Sequence, residues 1–294
     1  MFLRKDNFIL NEGYENNFHL NKGIGQYIFS KKKKFYDLSY ASGTLILGHS
    51  SKIFKNSLKN IDKNNLSLFS FPNIYTKLYT RKLKKINKFS EKFVFCNSGT
   101  EAVYKALRIA RAITKKEKIV SVTGSWHGSV DKLLLKKENN VIKTLSDGVG
   151  KFDKKNTIII NYNDIEVSKK ILDKNKNNIS CVIIEPIQAS LPNTNSISYL
   201  KFLSKYCKNN KLILIFDEII TGLRTPEGNV QNLYNLKPDI TILGKSFGGG
   251  FPLGIIGVNK LIIKKIKKNN LKIFFGGTFS ANTFVSYLGY NTTN

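Results

Sequence analysis

The chain has 294 residues, 41% of them hydrophobic, so it can bury a large core, and we expect one large domain with a small appendage. A formal net charge of +28 would favour a polyanionic partner, but only five of the 48 basic residues are arginine, the side chain preferred for reading bases, so we expect no nucleic acid. The three cysteines are scattered, which excludes a disulfide scaffold, and three histidines are too few for a histidine-rich metal site. No apolar run is long enough to span a membrane, so we expect a cytoplasmic protein with no membrane partner.

The first fifty residues differ in pattern from the rest. Residues 23–29 and 35–38 are predicted to form a small antiparallel hairpin, with lysines 31–34 as its solvated turn. We expect residues 1–52 to be the N-terminal segment of a small lobe. Residues 53–294 are then the large domain.

Short apolar runs recur along the large domain: residues 93–96, 119–122, 157–160, 181–184, 212–216, 240–243 and 255–258. They are continuous rather than alternating, which is typical of strands covered on both faces of a mainly parallel sheet. Helical patterns lie between them, at residues 53–61, 75–86, 101–113, 165–172 and 197–207. This alternation predicts an α/β fold with helices on both faces of the sheet and a ligand beyond the carboxyl ends of the strands.

Two polar segments follow the first strands of this sheet. Ser98, Gly99 and Thr100 open a helix, whose free N–H groups could bind a phosphate, although these residues are also ordinary caps. Ser98 and Glu101 form a capping-box pattern. Trp126, the only tryptophan, could stack on a heteroaromatic ring or anchor the core, and His127 could contact a ligand or serve as a structural hydrogen-bonding residue.

Acidic residues end two later strands. Glu185 follows one apolar run, and Asp217 with Glu218 follows the next. Buried carboxylates are costly unless paired, so acids at these positions are candidates for a functional site. Because side chains alternate along a strand, Glu218 should face the side opposite to Asp217.

Lys245 comes directly after the run at residues 240–243 and opens a glycine-rich stretch. The Gly-Lys-Ser sequence does not match a nucleotide-binding Walker loop, because Asp239 occupies the place of its first glycine. Residues 244–248, GKSFG, match the letters of the serine-hydrolase G-x-S-x-G motif, but the chain has only three histidines, at 19, 49 and 127, and we do not expect a serine hydrolase. A lysine amine and a carboxylate in one crevice, here Lys245 and Asp217, are what pyridoxal phosphate chemistry requires.

Taken in order, these motifs resemble the class III (subgroup II) pyridoxal-phosphate aminotransferases of fold type I. The most similar branch is that of glutamate-1-semialdehyde 2,1-aminomutase and its aminotransferase relatives. The resemblance rests on NSGTEAVYKALRIAR at 97–111, WHG at 126–128, IIEPI at 183–187, IFDEIITGLR at 215–224 and PDITILGKSFGGGFPLGIIGV at 238–258.

The resemblance implies a role for each matching residue. Lys245 would form the Schiff base with pyridoxal 5'-phosphate and then shuttle the substrate proton, and Asp217 would pair with the pyridine nitrogen. Gly99 and Thr100 would hold the phosphate, while Trp126 and Ile219 would cover the two ring faces. Cofactor-binding positions also include Ser98, His127 and Glu185. Thr278, in GGTFSAN, would reach the phosphate bound by a neighbouring subunit, which implies a homodimer.

Departures from the family pattern leave three hypotheses open. Ala281 and Thr283 replace a glycine and a proline of the family, a mild change in local turn geometry. The N-terminal segment lacks the arginine-bearing stretch of the aminomutase, and the segment at residues 42–49 differs from the aminomutase form, which favours an aminotransferase acting on an amino donor and a small carbonyl compound. The stretches at residues 147–149 and 162–164 resemble the aminomutase, which forms 5-aminolevulinate for tetrapyrroles. Relatives continue beyond Asn294 into a C-terminal small domain that we expect to be missing here, so the third hypothesis is a truncated, catalytically inert relative.

Overall fold

The computed structural model of the chain describes residues 19–69, 71–139, 141–192 and 196–294. The first eighteen residues of the expected small-lobe segment lie outside the described residues. In the described part of the chain, no helix combines the length and the apolar character needed to cross a bilayer.

A seven-stranded sheet forms the centre of the molecule. Its strands are β4 (Lys92–Cys96), β5 (Lys118–Val122), β8 (Thr157–Ile160), β9 (Ile179–Ile184), β10 (Ile213–Asp217), β11 (Ile240–Gly244) and β12 (Gly254–Val258). Their order across the sheet is β4-β12-β11-β10-β9-β5-β8. Only β12 runs antiparallel to its neighbours β11 and β4 in this sheet, so the expectation of a mainly parallel sheet is confirmed.

Helices cover both faces of this sheet, as the alternating sequence pattern predicts. On β10, Ile213 and Ile215 pack in the cluster that contains helix α4, whereas Leu214 and Phe216 pack in the cluster that contains α7. The helices are α1 (Tyr40–Gly43), α2 (Lys52–Lys63), α3 (Ile74–Ile86), α4 (Gly99–Thr114), α5 (Lys151–Lys155), α6 (Ile165–Asn175), α7 (Ile197–Asn209), α8 (Val230–Leu233), α9 (Lys260–Lys268) and α10 (Thr283–Thr292). Each of the five helical patterns in the sequence corresponds to one of these helices.

Helix α4 begins with the cap that the sequence indicates. The Ser98 hydroxyl accepts a hydrogen bond from the Glu101 N–H (3.1 Å). The Glu101 carboxylate bonds back to the N–H of Asn97 (2.7 Å) rather than to that of Ser98 itself. The carboxylate therefore ties the start of the helix to the turn that leaves β4.

The described residues before α1 contain one strand more than the predicted hairpin. Strands β1 (Leu20–Ile24), β2 (Tyr27–Ser30) and β3 (Lys33–Tyr36) form an antiparallel sheet in the order β1-β2-β3. A turn at Gly25 and Gln26, where Gly25 has φ +56°, splits the first predicted segment into two strands. The lysine-rich turn between β2 and β3 lies where the sequence indicates.

A second hairpin has no signal in the sequence. Strands β6 (Leu135–Glu138) and β7 (Val141–Thr144) pair with each other and stay outside the central sheet. Their salt bridges are exposed: Lys136 and Lys143 both contact the Glu138 carboxylate, at 2.6 and 2.9 Å. The Lys143–Glu138 pair joins the two strands, and the Lys136–Glu138 pair lies within β6.

Candidate active site

Five strand ends bring the predicted residues to one edge of the central sheet. Strands β4, β5, β9, β10 and β11 are parallel to one another, so their carboxyl ends meet at the same edge. A cavity of about 150 Å³ lies there. It is lined by Gly99, Thr100, Trp126, Gly128, Glu185, Asp217, Ile219, Ile220 and Lys245. Seven of the ten residues that the sequence indicates therefore line one cavity.

Lys245 enters this cavity from the end of β11. Its φ of 47° lies in the left-handed region, which is unusual for a lysine and typical of residues held under strain at functional sites. Burial lowers the pKa of the Lys245 amine, and the Arg224 charge acts in the same direction, while the carboxylates of Asp217 and Glu185 partly oppose this shift. The neutral, nucleophilic form of the amine is thus reached at lower pH than for an exposed lysine.

Asp217 lies at the end of the neighbouring strand and is only 3% exposed. One of its carboxylate oxygens accepts a hydrogen bond from the N–H of Ile219 (3.1 Å), and the other lies 2.8 Å from Nδ1 of His127. Both oxygens have partners, so the carboxylate is held in one orientation. A fixed negative charge at this place suits a protonated ring nitrogen.

His127 contacts Asp217 and does not line the cavity, and a direct contact with the cofactor stays a prediction. Its ring is buried, and it does not line the cavity, although Trp126 and Gly128 on either side of it do. Its Nε2 atom has no hydrogen-bond partner within the described residues. Through Nδ1 the ring orients the Asp217 carboxylate.

Glu185 adds a second acid to the cavity wall. Its carboxylate accepts a hydrogen bond from the N–H of Trp126 (2.8 Å) and a longer one from that of Ala189 (3.4 Å). Burial raises the pKa of Glu185, and the neighbouring Asp217 charge acts in the same direction, against His127 and the two N–H groups. The bond to Trp126 also fixes the backbone of the turn that carries the aromatic ring.

The start of α4 forms the end of the cavity that suits an anion. Within the described residues, the N–H groups of Gly99 and Thr100 have no partner in the chain, and they lie at the positive end of a sixteen-residue helix. The Thr100 hydroxyl accepts a hydrogen bond from the Ser129 N–H (3.1 Å), so its own proton is free to be donated. Ser98 caps the helix and does not line this cavity.

Two glycines in the cavity lie close to neighbouring side chains. A Cβ atom on Gly99 would lie 2.6 Å from Cδ1 of Ile219, so that side chain would have to shift, and one on Gly128 would collide with the Thr100 hydroxyl. Gly128 also has φ +74°, which favours glycine. Gly128 is the last residue of the WHG motif at 126–128, and its place after Trp126 and His127 is the signal in the sequence for this position.

Glu218 points away from the cavity, as strand alternation predicts. It is fully buried and accepts hydrogen bonds from the Thr221 hydroxyl (2.7 Å) and from the N–H groups of Val230 (2.8 Å) and Gln231 (2.9 Å). Burial raises the pKa of Glu218, and these three hydrogen bonds oppose the shift. Glu218 therefore ties the end of β10 to α8, and Asp217 alone of the pair serves the cavity.

Thr278 lies outside the cavity of its own chain. It is exposed, in an irregular segment between α9 and α10. The side chains of Phe274 and Phe279 near it are 77% and 57% exposed. This location suits a contact with another molecule and not with the site of the same chain.

A larger cavity of about 950 Å³ lies beside the site and shares Ile220 with it. The segment at residues 38–48 forms one wall, and Gln188 and Arg224 lie on the other. The Arg224 guanidinium donates to the carbonyl oxygens of Ile220 (2.7 Å) and Gly43 (2.5 Å), which joins the two walls. The segment that departs from the aminomutase pattern thus lines a cavity adjacent to the one that contains Lys245.

Comparison with known families agrees with this geometry. The profile of the family "Aminotransferase class-III" matches residues 9–291. This chain belongs to the class III aminotransferases. The family resemblance drawn from the sequence motifs is confirmed.

Two curated relatives of this class III chain are glutamate-1-semialdehyde 2,1-aminomutases. The protein from Archaeoglobus fulgidus is 36% identical over 283 residues, covering 94% of this chain and 66% of the relative. The protein from Wigglesworthia glossinidia brevipalpis is 36% identical over 276 residues, covering 90% and 62%. The chain thus spans slightly less than two thirds of the length of these relatives.

Solved structures confirm the fold type. An omega-transaminase from Sphaerobacter thermophilus superposes with a TM-score of 0.86 at 25% identity, covering 94% of this chain and 65% of that one. A transaminase solved with pyridoxal phosphate bound gives a TM-score of 0.85 at 26% identity, covering 94% and 66%. A glutamate-1-semialdehyde aminomutase from Pseudomonas aeruginosa PAO1 shares the fold, with a TM-score of 0.81 at 18% identity.

Proposed function

We propose that this class III chain is a pyridoxal-phosphate-dependent aminotransferase that moves an amino group between an amino donor and a small carbonyl compound. The observation that carries the proposal is that Lys245 and Asp217 line the same cavity, at the ends of adjacent strands. The chemistry requires both groups to act on one small ring. Had they opened into separate cavities, the proposal would have no basis.

The residues around the cavity fit the cofactor. Gly99 and Thr100 present free N–H groups for the phosphate, and Asp217 presents an oriented carboxylate for the ring nitrogen. Trp126 and Ile219 provide the apolar contacts for the ring faces. When bound, pyridoxal phosphate supplies an aldehyde that combines with amines and a protonated ring that withdraws electrons from the bonds at the adjacent carbon.

The chain itself contributes binding, orientation and proton transfer. The Lys245 amine, with its lowered pKa, would hold the aldehyde group of the cofactor. The same amine would carry the substrate proton at Nζ. Asp217, held by His127, would place a negative charge against the ring nitrogen.

We propose a homodimer in which Thr278 of each chain reaches the phosphate bound by its partner. Support comes from the exposed position of Thr278 and from the exposed Phe274 and Phe279 near it, because large apolar side chains at a surface favour a protein contact.

Residues 1–52 would act as part of a small lobe over the large domain, residues 53–294. The three cysteines are free and buried, which supports a reducing location such as the cytoplasm.

The curated relatives favour glutamate-1-semialdehyde 2,1-aminomutase as a second candidate, since two of them carry that name at 36% identity. In this reaction the donor and the acceptor are two positions of one substrate. The binding residues named above would serve either reaction. The two candidates differ in whether an external amino donor is needed.

Assays with purified protein and added cofactor distinguish the candidates. The aminotransferase proposal predicts amino transfer from an external donor to a carbonyl acceptor, lost in Lys245→Ala and retained in Lys260→Ala, where an exposed lysine is removed. Efficient isomerisation of glutamate-1-semialdehyde without a donor would replace it with the aminomutase. If saturating cofactor gives no visible absorbance band that depends on Lys245, both enzyme proposals fail and the inert relative remains.

A further inference from the structure

Helix α4 carries a buried lysine that the cofactor site does not use. Lys105 is only 4% exposed and lies among the fully buried Ala102, Ala106 and Ile109. A buried ammonium group is costly unless it is paired and hydrogen-bonded. Its partners therefore indicate what it holds.

The Lys105 ammonium group has a partner for each of its three N–H donors. It contacts the Glu101 carboxylate at 2.5 Å and donates to the carbonyl oxygens of Phe275 (2.8 Å) and Gly276 (3.1 Å). Arg108, one turn further along the helix, donates to the carbonyl oxygen of Phe274 (2.6 Å). Three consecutive carbonyl groups thus accept hydrogen bonds from cations of α4.

The segment held in this way has no regular structure of its own. Residues 271–277 belong to no helix or strand, so their carbonyl groups do not bond within a ladder or a helix. Gly277 packs so closely that an added Cβ would lie 3.2 Å from the Glu101 carboxylate. Thr278 follows two residues after the last carbonyl that Lys105 binds.

The same carboxylate also contacts the phosphate side of the site. Glu101 accepts a hydrogen bond from Asn97 in the turn before Gly99, in addition to its contact with Lys105. Burial alone would raise the pKa of Glu101, but the bonds from Lys105 and Asn97 outweigh it and lower the pKa, so the acid stays charged at neutral pH. One ion pair thus joins the phosphate-binding turn to the segment that carries Thr278.

We propose that Lys105 is a positioning residue that fixes the 274–278 segment on α4, so that Thr278 is held ready for the phosphate bound by a second copy of the chain. The inference rests on the proposed dimeric cofactor site. Lys105 does not contact the cavity of its own chain. Its loss should nevertheless weaken the binding of the cofactor in the partner's site.

The test compares Lys105→Met with Lys115→Met in the full chain. Methionine keeps most of the buried stem but removes the charge and the donors, while Lys115 is an exposed lysine one residue beyond the same helix. Three quantities are measured: the rate of chymotryptic cleavage after Phe274 or Phe275, the dissociation constant for pyridoxal phosphate from visible absorbance, and the melting temperature of the cofactor-free chain.

We expect Lys105→Met to raise both the cleavage rate and the dissociation constant by about tenfold, as the loss of charge-assisted hydrogen bonds implies, with the melting temperature close to that of Lys115→Met. Cleavage at the Lys115→Met rate would overturn the inference, and so would faster cleavage with an unchanged dissociation constant. If Lys105→Met does not fold, Glu101→Gln, which weakens the same ion pair, is measured with the same criteria. Failure of the wild-type chain to bind the cofactor would instead sink the proposed function, and the cleavage rates would still decide whether Lys105 fixes the segment.

Discussion

At the scale of single residues, the site depends on where two charges are placed. Lys245 is held at a positive φ beside two carboxylates, and Asp217 is fixed by His127 and by a backbone N–H. The Asp217 carboxylate cannot move into solvent without losing these hydrogen bonds. Under the proposed function, the amine and the acid would serve the aldehyde and the ring nitrogen of the cofactor.

The lowered pKa of Lys245 gives a pH prediction. Only the neutral amine combines with an aldehyde, so a lower pKa moves the rise in reactivity to lower pH. Reductive trapping of pyridoxal phosphate at Lys245 should therefore increase with pH with a midpoint below 10.5, the ordinary lysine value. Mass spectrometry of the trapped peptides measures this profile. A midpoint equal to that of the exposed Lys260 would show that burial does not affect the amine.

Glu218 gives a prediction about stability. Replacing Glu218 with alanine leaves the N–H groups of Val230 and Gln231 buried without an acceptor, so the free energy of unfolding should fall by about 2–4 kcal/mol. Denaturant titration of the variant against wild type measures the loss. Glu227→Ala, an exposed acid on the same loop, is the control and should change it little. Equal stability of both variants would contradict the assigned role of Glu218.

At the scale of elements, the close contact between β12 and the start of α4 fixes the turn that is proposed to bind the phosphate. Gly254 on β12 pairs with Cys96 of β4, and a Cβ atom at Gly254 would collide with the carbonyl oxygen of Ser98. Backbone cannot yield as a flexible side chain can. The position of the helix start therefore depends on the absence of a side chain at one residue of a neighbouring strand.

Gly254→Ala tests this dependence. We expect a loss of about 1–3 kcal/mol in the free energy of unfolding and weaker binding of inorganic phosphate, since the turn must shift to accommodate the methyl group. Gly150→Ala is the matched control, because its φ of −69° suits alanine and the nearest atom to the added Cβ is 3.5 Å away. Unchanged phosphate binding in Gly254→Ala would remove the link between β12 and the site.

Sequence patterns predicted helices and strands best where burial restricts a position to apolar side chains. The apolar run ending at Leu243 gave β11 and, with it, the place of Lys245, because a strand covered on both faces needs apolar side chains throughout. The antiparallel direction of β12 could not be predicted, since an apolar run looks the same in both directions. The burial of Lys105 was also missed, because its acceptors lie 170 residues away in an irregular segment.

At the scale of the whole molecule, the cofactor site is proposed to need two chains. Within one chain the cavity contains Lys245 and the phosphate-binding turn, but Thr278 is exposed elsewhere. Two copies would exchange this residue in a symmetric contact, as closed dimers do. Cofactor affinity should then depend on chain association.

Mixed dimers test the exchange of Thr278. Thr278→Ala alone should bind pyridoxal phosphate more weakly, and Lys245→Ala alone should form no bond to it. A mixture of the two variants creates dimers in which one site has both Lys245 and a partner's Thr278. Absorbance titration should show wild-type affinity in that fraction of sites. If the mixture binds no better than Thr278→Ala by itself, each site is built from a single chain.

The most direct measurement of the central claim is to identify which lysine binds the cofactor. The chain is lysine-rich, with 48 basic residues of which five are arginine, so an aldehyde has many exposed amines to choose from. The protein is mixed with one equivalent of pyridoxal phosphate at neutral pH, reduced with borohydride and mapped by mass spectrometry. We predict one pyridoxyl group per chain, on Lys245. In Asp217→Ala the preference for Lys245 over the surface lysines should be lost. Label spread over surface lysines, with Lys245 unmodified in the folded wild-type protein, would contradict it.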